Sequence, residues 1–337
     1  TIYLVANGDL RLEANQNCEA AQVAMERQIA QAVERLGGTL KRAHSYDPEK
    51  QHGFIDSQKY GMEVLGSIPP KAPLIVAEAV WQYSHQILPG LFTHRGPILT
   101  VANWSGQWPG LVGLLNTGAC LESLGRKFSR VWSDAEDWTA DDAFMARLGE
   151  WCATGRIGYS TEQIGYSVPI SKEAHARSRR VAEETRKRRI LALMLGDTSM
   201  GMINGYFGPR RLAPIGFSEH KVEQAWIIDR GRSISDDRLN GAMAFVKESG
   251  VKFHWGEDGA DDFDENATRE QLRDYLTVLD LVSEFKADCV GWQYQLGLVP
   301  LRPPSDFAEG LLNSVCRPES NGDVIITSTE GDQGNLV

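Results

Sequence analysis

Carboxylates, amides and indoles follow the apolar, β-rich runs of this 337-residue chain. Val324 to Thr329 reads as a short buried strand, and it runs into Glu330-Gly331-Asp332-Gln333-Gly334. A β-branched run that stops at a carboxylate inside a Gly-rich turn puts that carboxylate at the C-terminal edge of a sheet, where open α/β proteins bind ligands. The same placement recurs. Arg11 follows the run Ile2 to Ala6, and Trp81, Tyr83 and His85 follow Leu74 to Val76. Asn103, Trp104, Gln107 and Trp108 follow Ile98 to Val101. Asp197, Thr198 and Ser199 follow Ile190 to Leu195, and Gln293 and Gln295 follow Cys289 to Trp292. Indole faces pack on sugar C–H surfaces, while amides and carboxylates bind hydroxyls, so the set as a whole suits a polyhydroxylated ligand.

Taken singly, each residue has a plainer reading. Asp197 and Thr198 could simply cap a helix. Trp81 and Trp104 could be half-buried packing, and Glu330 a solvated turn residue. Several familiar signatures are absent. No G-x-G-x-x-G follows a strand, which argues against dinucleotide binding and a nicotinamide oxidoreductase. Gly196 to Gly201 has the glycine spacing of a phosphate loop, but Met202-Ile203 stands where Lys-Ser/Thr is required. No G-x-S-x-G elbow and no H-E-x-x-H helix occurs, and the seven histidines form no tight ligand pair.

The composition is that of a globular chain, 42% hydrophobic and 24% charged. No apolar run of about 18 residues predicts a membrane span. The net charge of −10 argues against nucleic acid and anionic membrane as partners. One segment runs the other way: His175 to Arg189 carries Arg177, Arg179, Arg180, Arg186, Lys187, Arg188 and Arg189. A solvated helix with Glu183 and Glu184 as partners explains it, and a subunit-contact helix is the sharper alternative. Cys18, Cys120, Cys152, Cys289 and Cys316 are scattered, odd in number and free of any CxxC pair, which predicts a reducing, cytoplasmic setting. The start, Thr1-Ile2-Tyr3-Leu4-Val5, reads as a first strand rather than a signal peptide, with the true start upstream.

Strand and helix signals alternate twice. Residues 18–36 have helical spacing, stopped by Gly37-Gly38. Pro109 opens an apolar helix through Leu124, Phe128 to Trp132 is a strand, and 139–154 a helix. Periodicity lapses over 156–172, the expected linker. Beyond it, Ala225 to Ile228 and Val251 to His254 are strand candidates, 236–248 and 267–286 helices, and Ser305 caps a helix from Asp306 to Ser314. The expected architecture is α/β, with two consecutive Rossmann-like parallel-sheet domains: an N-terminal domain over 1–160 and a second domain over 161–337.

Four segments in order resemble the L-fucose isomerase family and, more distantly, the L-arabinose isomerases. Asn103-Trp104-Ser105-Gly106-Gln107-Trp108-Pro109-Gly110 is similar to the family's F-N-G-T-x-x-P-G segment. Gly196-Asp197-Thr198-Ser199-Met200-Gly201 resembles its S-M-G turn. Phe307-Ala308-Glu309-Gly310-Leu311-Leu312-Asn313 resembles its A-E-A-F-L-N helix. Thr327-Ser328-Thr329-Glu330-Gly331-Asp332 is similar to its A-T-E-x-D strand end.

The resemblance implies an aldose–ketose isomerase that uses a divalent cation, usually Mn²⁺, and passes through an enediol(ate). It implies two α/β domains, a further C-terminal β-rich domain beyond Val337, and hexamers whose active sites are shared between subunits. Glu330 matches the glutamate that is both metal ligand and acid/base, and the family's remaining ligands fall beyond Val337. Arg11 falls at the substrate-binding Arg, Trp81 at the substrate-contacting Trp, and Gln293 or Gln295 near the substrate-binding Gln. Asn103 lies in the first matching segment. The chemistry agrees independently: removing a proton beside a carbonyl needs a positioned base, and Mn²⁺ accepts carboxylate ligands. The chain departs from the family in Gly331-Asp332-Gln333-Gly334-Asn335, in Cys316-Arg317-Pro318-Glu319-Ser320 and in Gln293-Tyr294-Gln295. These segments are where sugar hydroxyls would be read. An L-fucose-like, D-arabinose-like or modified hexose therefore fits, with Arg302 or Arg11 as contact to an anionic group. The alternative is a non-enzymatic, two-lobed sugar-binding protein.

Overall fold

The computed structural model describes residues 1–79, 86–103, 110–160, 169–256, 263–295 and 297–337. The chain divides into two compact units, Thr1–Ser167 with Met202–Asn204, and Val168–Gly201 with Gly205–Val337. Each is an α/β layer structure with a sheet that is parallel throughout among the described residues. No helix among these residues is long and apolar enough to cross a membrane.

The first unit runs β1 Ile2–Ala6, α1 Leu12–Arg35, β2 Leu40–Arg42, α2 Gln58–Ser67, β3 Leu74–Glu78, α3 Leu88–Leu91, β4 Ile98–Asn103, α4 Gly110–Ser123, β5 Ser129–Ser133 and α5 Asp142–Thr154. The sheet order is β2-β1-β3-β4-β5. Chain direction across the sheet reverses between β1 and β3, the switch point at which doubly wound sheets open a crevice. Both faces are covered. Leu4, Ile75, Leu99 and Val131 pack on one side with Met25, Ile29, Phe144 and Trp151. Val5, Leu74, Val76 and Ile98 pack on the other with Val64, Leu65 and Leu88. The alternation is the strand period of two, and burial on both faces makes these runs apolar throughout.

The second unit runs α6 Lys172–Arg188, β6 Ile190–Leu195, α7 Gly208–Leu212, β7 Phe217–Val222, α8 Ala225–Gly231, α9 Asp236–Glu248, α10 Glu265–Phe285, β8 Cys289–Trp292, α11 Asp306–Leu312, β9 Ile326–Thr329 and α12 Gln333–Leu336. Its sheet order is β7-β6-β8-β9. Leu193, Leu195, Val290 and Trp292 face a large core built with Leu239, Leu272, Leu276 and Leu312. The other face is thinner, with Met194 and Cys289 under Leu212 and Leu336. Helix α10 starts where the Asp264 carboxylate accepts from the Ala267 amide at 2.6 Å. Helix α6 buries no side chain within this unit.

Three local expectations change. Ala225 to Ile228 is helix, and the strand lies just before it at Phe217–Val222. This is an edge strand with Ser218 and His220 exposed, so it lacks the apolar run that marks a central strand. Val251 to His254 forms no strand. Val251 N–H closes the end of α9 on the Val246 carbonyl at 3.3 Å, and Phe253 stacks on Trp255 at 5.1 Å. The last strand is shorter than Val324 to Thr329 and lies at the sheet edge, with Ile326 52% exposed rather than buried.

Two glycines of α2 have opposite expected responses to Ala. A Cβ on Gly61 would stand 2.1 Å from the Gln86 carbonyl oxygen, whereas one on Gly66 would meet nothing within 4 Å. Gly66→Ala should raise stability by about 0.5–1 kcal/mol through helix propensity. Gly61→Ala should lower it despite the same propensity gain, because backbone must move. Paired urea titrations check this, and equal shifts of the same sign would contradict the packing.

Candidate functional site

The four strands of the second sheet end on one rung. Val222 pairs with Leu195, Leu195 with Trp292, and Trp292 with Thr329, and each is the last residue of its strand. In a parallel sheet the residues that follow must leave the same edge side by side. Glu223 and Gln224, Gly196 and Asp197, Gln293, and Glu330 therefore emerge together. The switch point of this sheet lies between β6 and β8, and there the Asp197 amide donates to the Gln293 Oε1 at 2.7 Å.

The turns leaving β6 and β9 both hold left-handed backbone. Ser199 (φ 48°) and Met200 (φ 55°) adopt it in the first, and Glu330 (φ 58°) in the second. For residues with a side chain this conformation costs about 1 kcal/mol or more each. The two turns are joined directly, since Ser199 N–H donates to the Gly331 carbonyl at 2.9 Å. Gly331 (φ 64°) takes a side chain poorly, because of its left-handed backbone and because a Cβ there would sit 3.0 Å from the Asp197 carbonyl oxygen, closer than most such contacts. Gly331 N–H in turn donates to the Trp292 carbonyl at 3.1 Å. The turn that holds Glu330 is thus tied to the turn after β6 and to the end of β8.

An amide relay then fixes its carboxylate. Gln224 Nε2 donates to the Gln293 carbonyl and, at 3.4 Å, to the Gln295 carbonyl. Gln293 Nε2 also donates to the Gln295 carbonyl, at 3.3 Å. Gln295 Nε2 donates to Glu330 Oε1 at 2.7 Å, the short range of a bond to an anionic acceptor. Gln293 is 5% exposed, while Gln295 and Glu330 are half-buried. A second carboxyl stands behind this edge. Glu309 of α11 is 6% exposed and accepts from Ser305 Oγ at 2.6 Å. Burial pushes its carboxyl up to about 7, against hydrogen bonds from Ser305 and Thr329. Asp197 is exposed, with Lys221 Nζ 3.6 Å from its Oδ1.

Of the expected site residues, Gln293, Gln295 and Glu330 are brought together. Arg302 is turned elsewhere: its guanidinium pairs with Glu270 and lies 3.6 Å from Asp274, both on α10, so its charge has partners inside the unit. In the first unit, Arg11 lies just past β1, at the switch point, where Asp9 holds it through Nε and Nη2 at 2.9 Å each. Asn103 ends β4. Trp81, with Tyr83, His85, Trp104, Gln107 and Trp108, lies outside the described residues. Sequence reasoning missed Gln224 because it missed β7. It quoted Glu309 only inside a similar segment. A Ser and a Glu four residues apart at a helix start were the available signal, yet Ser305 bonds the Glu309 carboxyl instead of capping a backbone amide.

Among the described residues no three His, Cys, Asp or Glu side chains converge on a metal position. Glu330 fits one side of a hard cation's shell. It is an anionic oxygen donor of the kind Mn²⁺ and Mg²⁺ take, and its amide partner orients it as outer-shell partners orient ligands.

Glu309 yields a pH prediction. Its folded-state value, about 7, lies above its ordinary 4.5. Its contribution to stability is therefore complete below that ordinary value and lost as pH rises through about 7. Glu309→Gln should remove this dependence, so that the variant gains about 3 kcal/mol on the parent between acid and mildly alkaline pH. Denaturant titrations at both ends test it, and a stability difference that stays constant with pH would contradict the burial argument.

No family model matches the chain, and no curated protein sequence matches it.

Proposed function

We propose that the chain carries the acid/base half of a metal-dependent aldose–ketose isomerase, with Glu330 as both base and metal ligand. The observation that supports it most is the way Glu330 is held. It sits in left-handed backbone at a strand end, locked by the β6 turn and hydrogen-bonded by Gln295. Strain kept in place by surrounding structure, at the ligand edge of a sheet, is the pattern of a functional residue. A solvated turn residue would need none of it.

In this reading a sugar lies across the turns after β6, β8 and β9. Glu330 removes the proton from the carbon beside the carbonyl and returns it to the former carbonyl carbon, while the proton of the adjacent hydroxyl passes to the former carbonyl oxygen, which interconverts aldose and ketose. Gln295 keeps the carboxylate aimed, and the amides of Gln293 and Gln295 offer donors and acceptors to hydroxyls. A divalent cation, when bound, supplies positive charge for the two oxygens of the enediolate. Mn²⁺ is the cation we favour, and a modified hexose or an L-fucose-like or D-arabinose-like sugar the substrate. The resemblance carries further parts of the proposal. These are a β-rich domain and remaining ligands beyond Val337, a hexamer, Arg11 and Trp81 reaching a neighbour's site, and Asn103 as a substrate contact.

Glu330→Gln in the full-length protein should abolish Mn²⁺-dependent conversion, a loss of about 10³-fold or more, while the melting temperature stays near the parent's. Solvent deuterium should enter the sugar carbon with the parent protein and not with the variant, as read by NMR. Retained turnover in the variant would refute the assignment. Binding of sugar without any conversion by the parent would favour a non-enzymatic, two-lobed binding protein.

A further inference from the structure

A cavity of about 510 Å³ opens in the first unit at the N-terminal ends of β4 and β5. It lies on the sheet edge opposite Arg11 and Asn103. Arg95, Arg126, Lys127 and Arg156 line it, and among the described residues no Asp or Glu does. Among the described residues none of these four makes an ion pair. The concentration of charge is notable in a chain whose net charge is −10. Helix dipoles do not account for it. The C-termini of α4 and α5 end beside the cavity at Gly125 and Gly155, and each contributes roughly half a negative charge. Four cations against about one negative charge leave an excess of about three. The two nearest carboxylates in sequence do not cancel it. Glu122 and Glu150 both lie outside the lining.

One of the four cations, Arg126, is half-buried and held through its side chain, while Arg95, Lys127 and Arg156 are exposed to solvent. Arg126 donates through Nη2 to the His94 carbonyl, and its Nε is buried with no partner among the described residues. The Arg95 amide donates to the Pro70 carbonyl at 2.6 Å. Pro97 and Phe128 supply an apolar wall. Clustered like charges repel unless an anion compensates them, and guanidinium forks match phosphoryl oxygens in pairs. The volume lies in the range of small-molecule sites.

We propose that this cavity binds a small phosphorylated molecule, with its phosphoryl groups on the four cations and its organic part against Pro97 and Phe128. The site is separate from Glu330 and does not depend on the isomerase reading.

Calorimetric titration of the full-length protein with inorganic pyrophosphate, under metal-free conditions, tests it. Binding is expected with a Kd below about 1 mM at low ionic strength, weakening as salt is raised. Arg126→Gln with Arg156→Gln should weaken it by about tenfold or more. Arg179→Gln with Arg180→Gln, which removes the same charge from exposed α6, should leave it within about twofold. Should the first pair disturb folding, Lys127→Glu replaces it, with the same loss expected. Absence of binding by the parent overturns the proposal. So does an equal loss in the α6 variant, which would mean diffuse attraction to the surface.

Discussion

A shared last rung governs the second unit. Because Val222, Leu195, Trp292 and Thr329 are paired in line, four chain segments leave the sheet at one level. Slip β9 by one residue and Glu330 moves to the opposite face, since strand side chains alternate. The register is secured from below by apolar packing. Trp292 and Leu195 are fully buried against the α8–α11 layer, so displacing either strand would expose large side chains. Tyr275 of α10 reinforces this layer, donating its hydroxyl to the Pro318 carbonyl at 2.6 Å. The polar edge is thus carried by an apolar body that has little freedom to shift.

On that rigid base the turns can hold conformations the backbone would otherwise avoid. Ser199, Met200 and Glu330 each oppose folding slightly, and the Ser199–Gly331 hydrogen bond couples two of the turns. What results is a carboxylate with few choices of direction. The amides of Gln224, Gln293 and Gln295 carry that constraint from β7 across to β9, so the relay crosses the sheet perpendicular to its strands. A pre-aimed carboxylate suits proton transfer on carbon, where the base must meet a C–H without large rearrangement.

Much of this was legible in the sequence, and the exceptions have physical causes. Ile190–Leu195 and Cys289–Trp292 were readable to the residue, because central parallel strands are buried on both faces and show as continuous apolar runs. Helix Asp236–Glu248 has the range read from the sequence, and the structure adds that Ser235 caps it by accepting from the Arg238 amide. The edge strand β7 was not, since Ser218, Glu219, His220 and Lys221 satisfy no core. Its loss hid Gln224. The position of Glu330 just after a β-branched run was legible, but its left-handed φ and the turn that locks it come from contacts between strands far apart in the chain. Arg302 illustrates the opposite limit: an arginine that could meet an anionic group on a sugar is engaged within the unit by Glu270 and Asp274 of α10, which the sequence does not show.

The most direct test is anomalous diffraction from crystals of the full-length protein grown with Mn²⁺. A manganese peak within bonding distance of a Glu330 carboxylate oxygen is the result this account predicts. A fully occupied manganese site elsewhere, with Glu330 still held only by its protein partners, would contradict it.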